Sequence, residues 1–125
     1  MEAEVTRKAA VRHADKWYSL YIRKITQIEY GKCPFCGKPI ENCFHWFSRV
    51  AYSLRWDVRN GIGSCAGCNM KMEYQPYEFY QWLIKKTSQE FVDTLNREWH
   101  KIAKFTTLEI KEIGDKYKRM YEDLK

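Results

Sequence analysis

The chain has 125 residues, of which 22 are Lys or Arg and 16 are Asp or Glu, and its net charge is +6. This length suits one compact domain, and the many aromatic residues, with few Gly and Pro, exclude a disordered chain. No apolar run approaches the ~20 residues of a membrane span, and the charged first residues lack the apolar stretch of a signal peptide, so we expect a cytoplasmic protein.

The positive charge is uneven along the chain. Residues 1–32 and residues 33–86 each carry seven basic residues to four acidic ones, whereas residues 87–125 carry eight of each. Such an excess fits a polyanionic partner such as nucleic acid, and it equally fits an ordinary solvated surface.

The first half of the chain reads as a long helix followed by two short strands. Apolar residues at helical spacing, with basic residues among them, predict a helix over residues 4–28 that Gly31 terminates. An aromatic-rich segment predicts a strand at 43–48. A loop with some helical character follows over residues 49–60, and residues 61–64 form the second strand.

The second half reads as helices alone. Asn69 should open a helix, and Pro76 suits the first turn of a further helical stretch to Lys86. Ser88 is a plausible cap for a helix over 89–103, and Thr107 could cap a last helix that reaches about residue 123. The predicted fold class is therefore α+β and mostly helical.

Four of the five cysteines form two CxxC pairs separated by 28 residues: Cys33 with Cys36, and Cys65 with Cys68. Two residues between cysteines let both sulfur atoms reach one ion, and two such pairs complete a tetrahedral site for Zn²⁺ with no open position. We therefore predict a structural zinc site. Cys43 is left over, and we interpret it as a small buried residue.

Three polar residues lie in order around the second cysteine pair: His45, Asn60 and Asn69. Each has an ordinary interpretation, since a histidine among aromatics is often a core residue, an Asn before Gly often forms a turn, and an Asn after a zinc knuckle often caps a helix. Their combination within a four-cysteine frame favours a catalytic site.

These motifs resemble the HNH endonucleases and, more narrowly, the phage recombination endonucleases of the NinG/Rap type. The similar segments are HWFSR at 45–49, LRWDVRN at 54–60 and CAGCN at 65–69, with further similarity at 14–23 and 31–33. The resemblance extends from about residue 14 to residue 86, and we name no match for residues 87–125.

The resemblance implies a metal-dependent DNA endonuclease with a ββα-metal fold, in which two short antiparallel strands and one helix surround a divalent ion. Its substrate would be single-stranded or branched DNA from recombination or replication, in a bacterial cell and with a bacteriophage as a plausible source. The implied organisation is one domain with a basic N-terminal helix (1–30), a zinc-stapled HNH-like core (31–86) and a C-terminal helical extension (87–125).

The resemblance also implies a role for each residue of the site. His45 would be the general base that activates water, and Asn60 would hold the loop between the strands. Asn69 would face a catalytic Mg²⁺ or Mn²⁺ ion, because its amide oxygen is a hard ligand. Basic residues that could contact phosphate, with ordinary surface charge as the alternative, are Arg49, Arg55, Arg59, Lys71, Arg23 and Lys24.

One position departs from many HNH nucleases, in which an Asp or His directly before the general base binds the ion. Phe44 stands there, so the ion is short of a carboxylate. Asp57 and Asn42 are the nearest residues that could supply an oxygen ligand. Only Asp57 is a carboxylate, and it could equally cap the turn that contains Asn60.

Two other functions stay open. A non-catalytic zinc-ribbon module would bind DNA without cutting it, and a zinc-stapled interaction domain would bind protein. The charge-balanced C-terminal helices could extend the core or form the face of a homodimer, which would suit a branched substrate. We expect no membrane partner.

Overall fold

The structure is a computed structural model that describes residues 5–124. It contains a two-stranded sheet and six α-helices in that range. In chain order the elements are α1 (Arg7–Tyr30), β1 (Asn42–His45), α2 (Tyr52–Arg55), β2 (Gly61–Ser64), α3 (Ala66–Tyr74), α4 (Pro76–Lys86), α5 (Gln89–Trp99) and α6 (Thr107–Glu122), with a single 3-10 turn at Val58–Asn60 before β2. This is the mostly helical α+β architecture that the sequence predicts.

The long helix α1 begins and ends on defined caps. The Thr6 side chain accepts a hydrogen bond from the Ala9 backbone N–H, and Gly31 ends the helix in the left-handed conformation at φ 74°. The predicted start at residue 4 lies outside the described residues. The buried face of α1 recurs every four residues and comprises Ala10, Ala14, Tyr18, Ile22 and Thr26.

The sheet is antiparallel, and its register sets His45 opposite Gly61 and Asn42 opposite Ser64. Helix α1 packs so closely against β2 that a Cβ atom at position 61 would collide with the Tyr18 hydroxyl. Glycine is therefore required where the helix crosses the strand.

Two clusters of buried residues lie on either side of this sheet. We call the first the helix-side core; it comprises Ala10, Ala14, Tyr18, Ile22, Trp56, Ile110 and Tyr117. We call the second the cysteine-side core; it comprises Cys33, Phe44, Trp46, Cys65, Cys68, Phe79 and Leu83.

Helix α6 closes the helix-side core against α1 in the most extensive contact between any two elements of the described chain. Its Tyr117 hydroxyl donates a hydrogen bond to the Trp56 carbonyl. A Cβ atom at position 114 would collide with the His13 ring, so Gly114 lets the two helices approach. Of the two roles expected for the C-terminal helices, the structure shows that α6 extends the core.

Several predicted boundaries differ from the observed ones. The first strand ends at His45 rather than residue 48, and the predicted loop over 49–60 contains α2 and the 3-10 turn. Helix α3 begins before Asn69, because the Cys65 thiol caps it by accepting from the Cys68 N–H. Helix α5 ends at Trp99, four residues before the predicted end. Within residues 5–124, no helix combines the length and apolar character needed to cross a membrane.

Candidate functional site

The two CxxC pairs converge on one point. The Sγ atoms of Cys33, Cys36, Cys65 and Cys68 all lie within 4.8 Å of one another. Four thiolates around one ion at a metal–sulfur distance of about 2.3 Å have this spacing. The cluster can therefore hold a structural metal such as zinc.

Local backbone geometry positions these thiols. In the first knuckle the Gly37 N–H donates to the Cys33 carbonyl at 2.9 Å, and Gly37 adopts φ 81°, which favours glycine. In the second knuckle the Cys65 thiol is also the cap of α3. Cys43 lies outside the cluster and is half-buried rather than fully buried as predicted; desolvation raises the pKa of its thiol to about 12.

A cavity of about 400 Å³ opens between α1, β1 and α3. It brings together three residues of the predicted site, namely His45, Asn69 and Arg49, and also Asn42. The remaining lining residues are Asp15, Tyr18, Ser19, Cys43, Phe44, Met72 and Glu73. We call this the His45 cavity.

His45 is held against α1 at the wall of this cavity. Its ring stacks on Tyr18 with centroids 5.5 Å apart. Burial is the main cause that lowers the pKa of His45 to about 4; the nearby Arg49 charge acts in the same direction, and Asp15 acts in the opposite one. The imidazole is therefore neutral at pH 7 and able to accept a proton.

Asn60 is fully buried and does not face the His45 cavity. Its side-chain oxygen accepts from the Phe47 N–H at 2.8 Å, and its amide group donates to the carbonyls of Phe47 at 2.8 Å and Leu54 at 3.2 Å. The Asn60 carbonyl also accepts from the Trp46 N–H at 2.9 Å. Asn60 thus ties the segment after His45 to the turn before β2.

Arg55 faces Asp15 rather than solvent. Its guanidinium makes two hydrogen bonds to the Asp15 carboxylate, at 3.0 and 2.7 Å, and the Trp56 indole N–H donates to the same carboxylate at 2.9 Å. Sequence reasoning missed Asp15, because thirty residues separate it from His45. The pairing leaves Arg55 less able to contact phosphate than predicted.

Asp57 and Arg59 are also paired with each other, away from the His45 cavity. The Asp57 carboxylate accepts from the Arg59 backbone N–H and guanidinium, each at 2.8 Å, and the guanidinium also contacts Glu98. Burial opposes ionisation, but these hydrogen bonds hold the pKa of Asp57 below its usual value. The structure therefore places Asp57 at the cap of the turn that contains Asn60 and does not bring it to the cavity.

The carboxylate that reaches the cavity from α3 is Glu73. It follows Asn69 by four residues, so both side chains lie on one face of the helix. Sequence reasoning missed Glu73, although this i, i+4 spacing was a usable signal. Glu73 and Asn69, with Asn42 from β1, give the cavity a set of oxygen atoms.

The predicted phosphate contacts fall into two groups. The Lys71 Nζ atom lies 3.8 Å from the Glu78 Oε2 atom. The charge of Lys71 is therefore partly neutralised, like the charges of Arg55 and Arg59. By contrast, the Arg49 side chain makes no hydrogen bond or ion pair with residues 5–124 and lines the cavity. Arg23 and Lys24 lie on α1 around a smaller cavity that Tyr121 also lines.

Comparison with known proteins gives one match. A family model described as "Bacteriophage Lambda NinG protein" matches residues 2–125. The match includes residues 87–125, for which the motifs named no relative. No curated protein and no solved structure matches the chain.

Proposed function

Because the chain belongs to the NinG family of bacteriophage proteins, we propose that it is a metal-dependent DNA endonuclease of the HNH type. The proposed reaction is hydrolysis of a phosphodiester bond in single-stranded or branched recombination or replication intermediates. The observation that carries the proposal is the His45 cavity, where a neutral imidazole, an unpaired guanidinium and several oxygen ligands line one space.

His45 is the proposed general base. Its low pKa keeps it unprotonated at pH 7, although a base with a pKa near 4 abstracts a proton weakly. A phosphodiester in the cavity would bring a negative charge that offsets Arg49, so the pKa of His45 would rise toward the operating pH. Tyr18 fixes the ring plane by stacking.

Oxygen ligands in the cavity suit a hard divalent ion. The Glu73 carboxylate and the amide oxygens of Asn69 and Asn42 are donors that Mg²⁺ and Mn²⁺ accept. Glu73 would supply the carboxylate that Phe44 cannot. When bound, the ion would act as a Lewis acid on a phosphate oxygen. Asp15 is held by Arg55 and Trp56, and we assign it a positioning role.

Phosphate binding falls to cations that make no ion pair with the described residues. Arg49 would contact the phosphate within the cavity. The ammonium groups of Lys16 on α1 and Lys118 on α6 lie 4.9 and 5.6 Å from the Trp17 ring centroid, and neither makes an ion pair with the described residues. With Arg23 and Lys24, these two lysines would bind the backbone of a strand that leaves the cavity.

The four-cysteine cluster is the proposed site of one structural Zn²⁺ per chain. It would be distinct from the catalytic ion, because four thiolates leave no open position for substrate. Its role would be to set β2 and α3, and therefore Asn69 and Glu73, relative to His45.

Purified protein should nick single-stranded, forked or four-way DNA with Mg²⁺ or Mn²⁺ in a panel that also includes linear duplex. His45→Ala should lower the rate by at least about 100-fold, as expected for loss of a general base, with an unchanged circular dichroism spectrum. His100→Ala removes an exposed histidine at the C-terminal end of α5 and serves as the matched control. If His45→Ala cuts as well as the parent, the site assignment is wrong.

The second candidate is a DNA-binding module that does not cut. Phe44 before His45, and the engagement of Asp15 by Arg55, favour it because both reduce the ligands free for a catalytic ion. This alternative predicts salt-sensitive DNA binding with no cleavage in any divalent metal.

A further inference from the structure

A second cavity, of about 460 Å³, opens at the β2 edge of the sheet. Helix α1 lines both cavities, with Ser19 at the His45 cavity and Ile25 and Tyr30 at the second one. Six to eleven residues of helix correspond to about 9 to 16 Å. A short length of nucleic-acid strand can span this separation.

Aromatic rings form one wall of the second cavity. The Tyr30 and Trp82 ring centroids are 6.1 Å apart with the planes inclined at 52°. Trp82 also contacts Phe35 at 4.9 Å and Trp46 at 6.1 Å, so its indole is anchored in the cysteine-side core. A rigid aromatic wall at an open cavity is a surface on which a flat ring can stack.

Lys86 is the unpaired cation at this wall. Its ammonium group lies 5.7 Å from both the Tyr30 and the Trp82 centroids and makes no ion pair with residues 5–124. Arg59 lines the same cavity, but Asp57 and Glu98 neutralise it. Glu29 adds a carboxylate, so the cavity offers one positive charge beside an aromatic surface and could not hold a run of phosphates.

We propose that this cavity binds one unpaired nucleotide of a DNA strand, with the base stacked on the Tyr30 ring beside Trp82 and its phosphate at Lys86. Duplex DNA cannot present a base in this way, because its bases are stacked inside the helix. The cavity would therefore select substrates that contain a single-stranded segment. This inference rests on the proposed DNA substrate and deepens it.

Binding of a short oligothymidylate and of a blunt duplex tests the proposal, by fluorescence anisotropy in a His45→Ala background without added divalent ion. Tyr30→Leu should weaken binding of the single strand about tenfold, the loss expected for one stacked base, and leave duplex binding unchanged. Lys86→Ala should reduce the slope of log affinity against log salt by about 0.7, the value for one phosphate of a single strand.

Two matched controls exist in the same region of the chain. Lys85→Ala makes the same charge change one residue away, and Tyr77→Leu removes an exposed tyrosine of the same helix. Neither residue lines the cavity, so both variants should bind like the His45→Ala background. Trp82 is left intact because it packs in the core.

The inference is overturned if Tyr30→Leu and Lys86→Ala bind the single strand like their controls, or if they lose single-strand and duplex binding equally. A protein that binds no DNA overturns both this inference and the proposed function. If the protein binds single strands through Tyr30 and Lys86 but never cuts DNA, the nucleotide-binding cavity stands and only the nuclease assignment is wrong.

Discussion

The two cores of this protein are built in different ways. The cysteine-side core draws its buried residues from one continuous stretch, Cys33 to Leu83, and its centre is a cluster of thiols. The helix-side core joins residues as distant as Ala10 and Tyr117 through the packing of α1 on α6. The proposed metal would therefore stabilise the first core, whereas helix packing stabilises the second.

The His45 cavity lies where these two halves meet. Strand β1 alternates between them, since Phe44 packs in the cysteine-side core and His45 stacks on Tyr18 of the helix-side core. Helices α1 and α3 supply the other walls. Damage to either core should therefore disturb the site, but by different routes.

The largest expected effect comes from removing a thiol of the cluster. A structural zinc contributes about 10 kcal/mol or more to folding, so Cys33→Ser should release the metal and unfold the cysteine-side core. Cys43→Ser is the control, because Cys43 lies outside the cluster. Metal analysis should find about one zinc per chain in the parent and the control, and none in Cys33→Ser. A metal-free parent with a full unfolding transition would contradict the assignment.

Asn60→Ala should have the next largest effect, about 3 kcal/mol of unfolding free energy. The substitution leaves the Phe47 N–H and the Phe47 carbonyl without partners at a buried position, whereas the Leu54 carbonyl still accepts from the Asp57 N–H. Urea denaturation measures the loss. Asn69→Ala is a useful contrast, since it should lower cleavage while it changes stability by less than about 1 kcal/mol. If Asn60→Ala and Asn69→Ala lower the free energy of unfolding equally, the Asn60 hydrogen bonds to Phe47 do not stabilise the fold as described.

Gly114→Ala probes the helix-side core alone and should cost about 1–2 kcal/mol. The added methyl group meets the His13 ring and forces it from Asp115, to which His13 Nε2 lies within 2.8 Å. In the His13→Ala background the same change should instead stabilise α6 by about 1 kcal/mol, because Ala is the better helix former. Thermal unfolding of the parent, the two single variants and the double variant measures these changes in stability. Identical effects in both backgrounds would rule out the contact as the cause.

The last expected effect, similar in size to that of Gly114→Ala, is a dependence of stability on pH through His45. Its folded pKa of about 4 lies below the unfolded value near 6.5, so the neutral ring stabilises the fold above pH 6.5 and this contribution is lost as the pH falls toward 4. Between pH 7 and pH 5 the loss should be about 2 kcal/mol. The difference between the parent and His45→Ala isolates it, and parallel pH profiles for the two would mean that His45 is not buried as a neutral group.

The parts of the site that could be predicted from sequence are those with local chemistry. CxxC spacing is sufficient to bring two thiols to one ion, and the Gly-Ile-Gly-Ser segment was correctly predicted as a strand. The catalytic roles of Asn60 and Asn69 stay predictions, but their places beside β2 and the second cysteine pair could be predicted from the sequence. The start of α3 could not, since the cap is a cysteine thiol rather than one of the usual capping side chains.

Residues joined only by tertiary structure escaped prediction. Periodicity indicates which face of a helix is apolar but not which element covers it, so the pairing of α1 with α6 had no signal. Asp15 reaches the cavity only through that placement of α1. Likewise, charge alone could not separate Arg49 from Arg55, because the carboxylate that neutralises Arg55 is forty residues away in sequence.

The contact between α1 and α6 also orders events during synthesis of the chain. Residues up to Leu83 suffice for the cysteine-side core, but the helix-side core must wait until Tyr117 has left the ribosome, and closing so long a loop is slow. Until then the apolar face of α1 lacks its cover. A ribosome-bound chain that is arrested when Trp99 has just emerged, and supplied with zinc, should already protect its four clustered cysteines from alkylation while α1 remains accessible to protease.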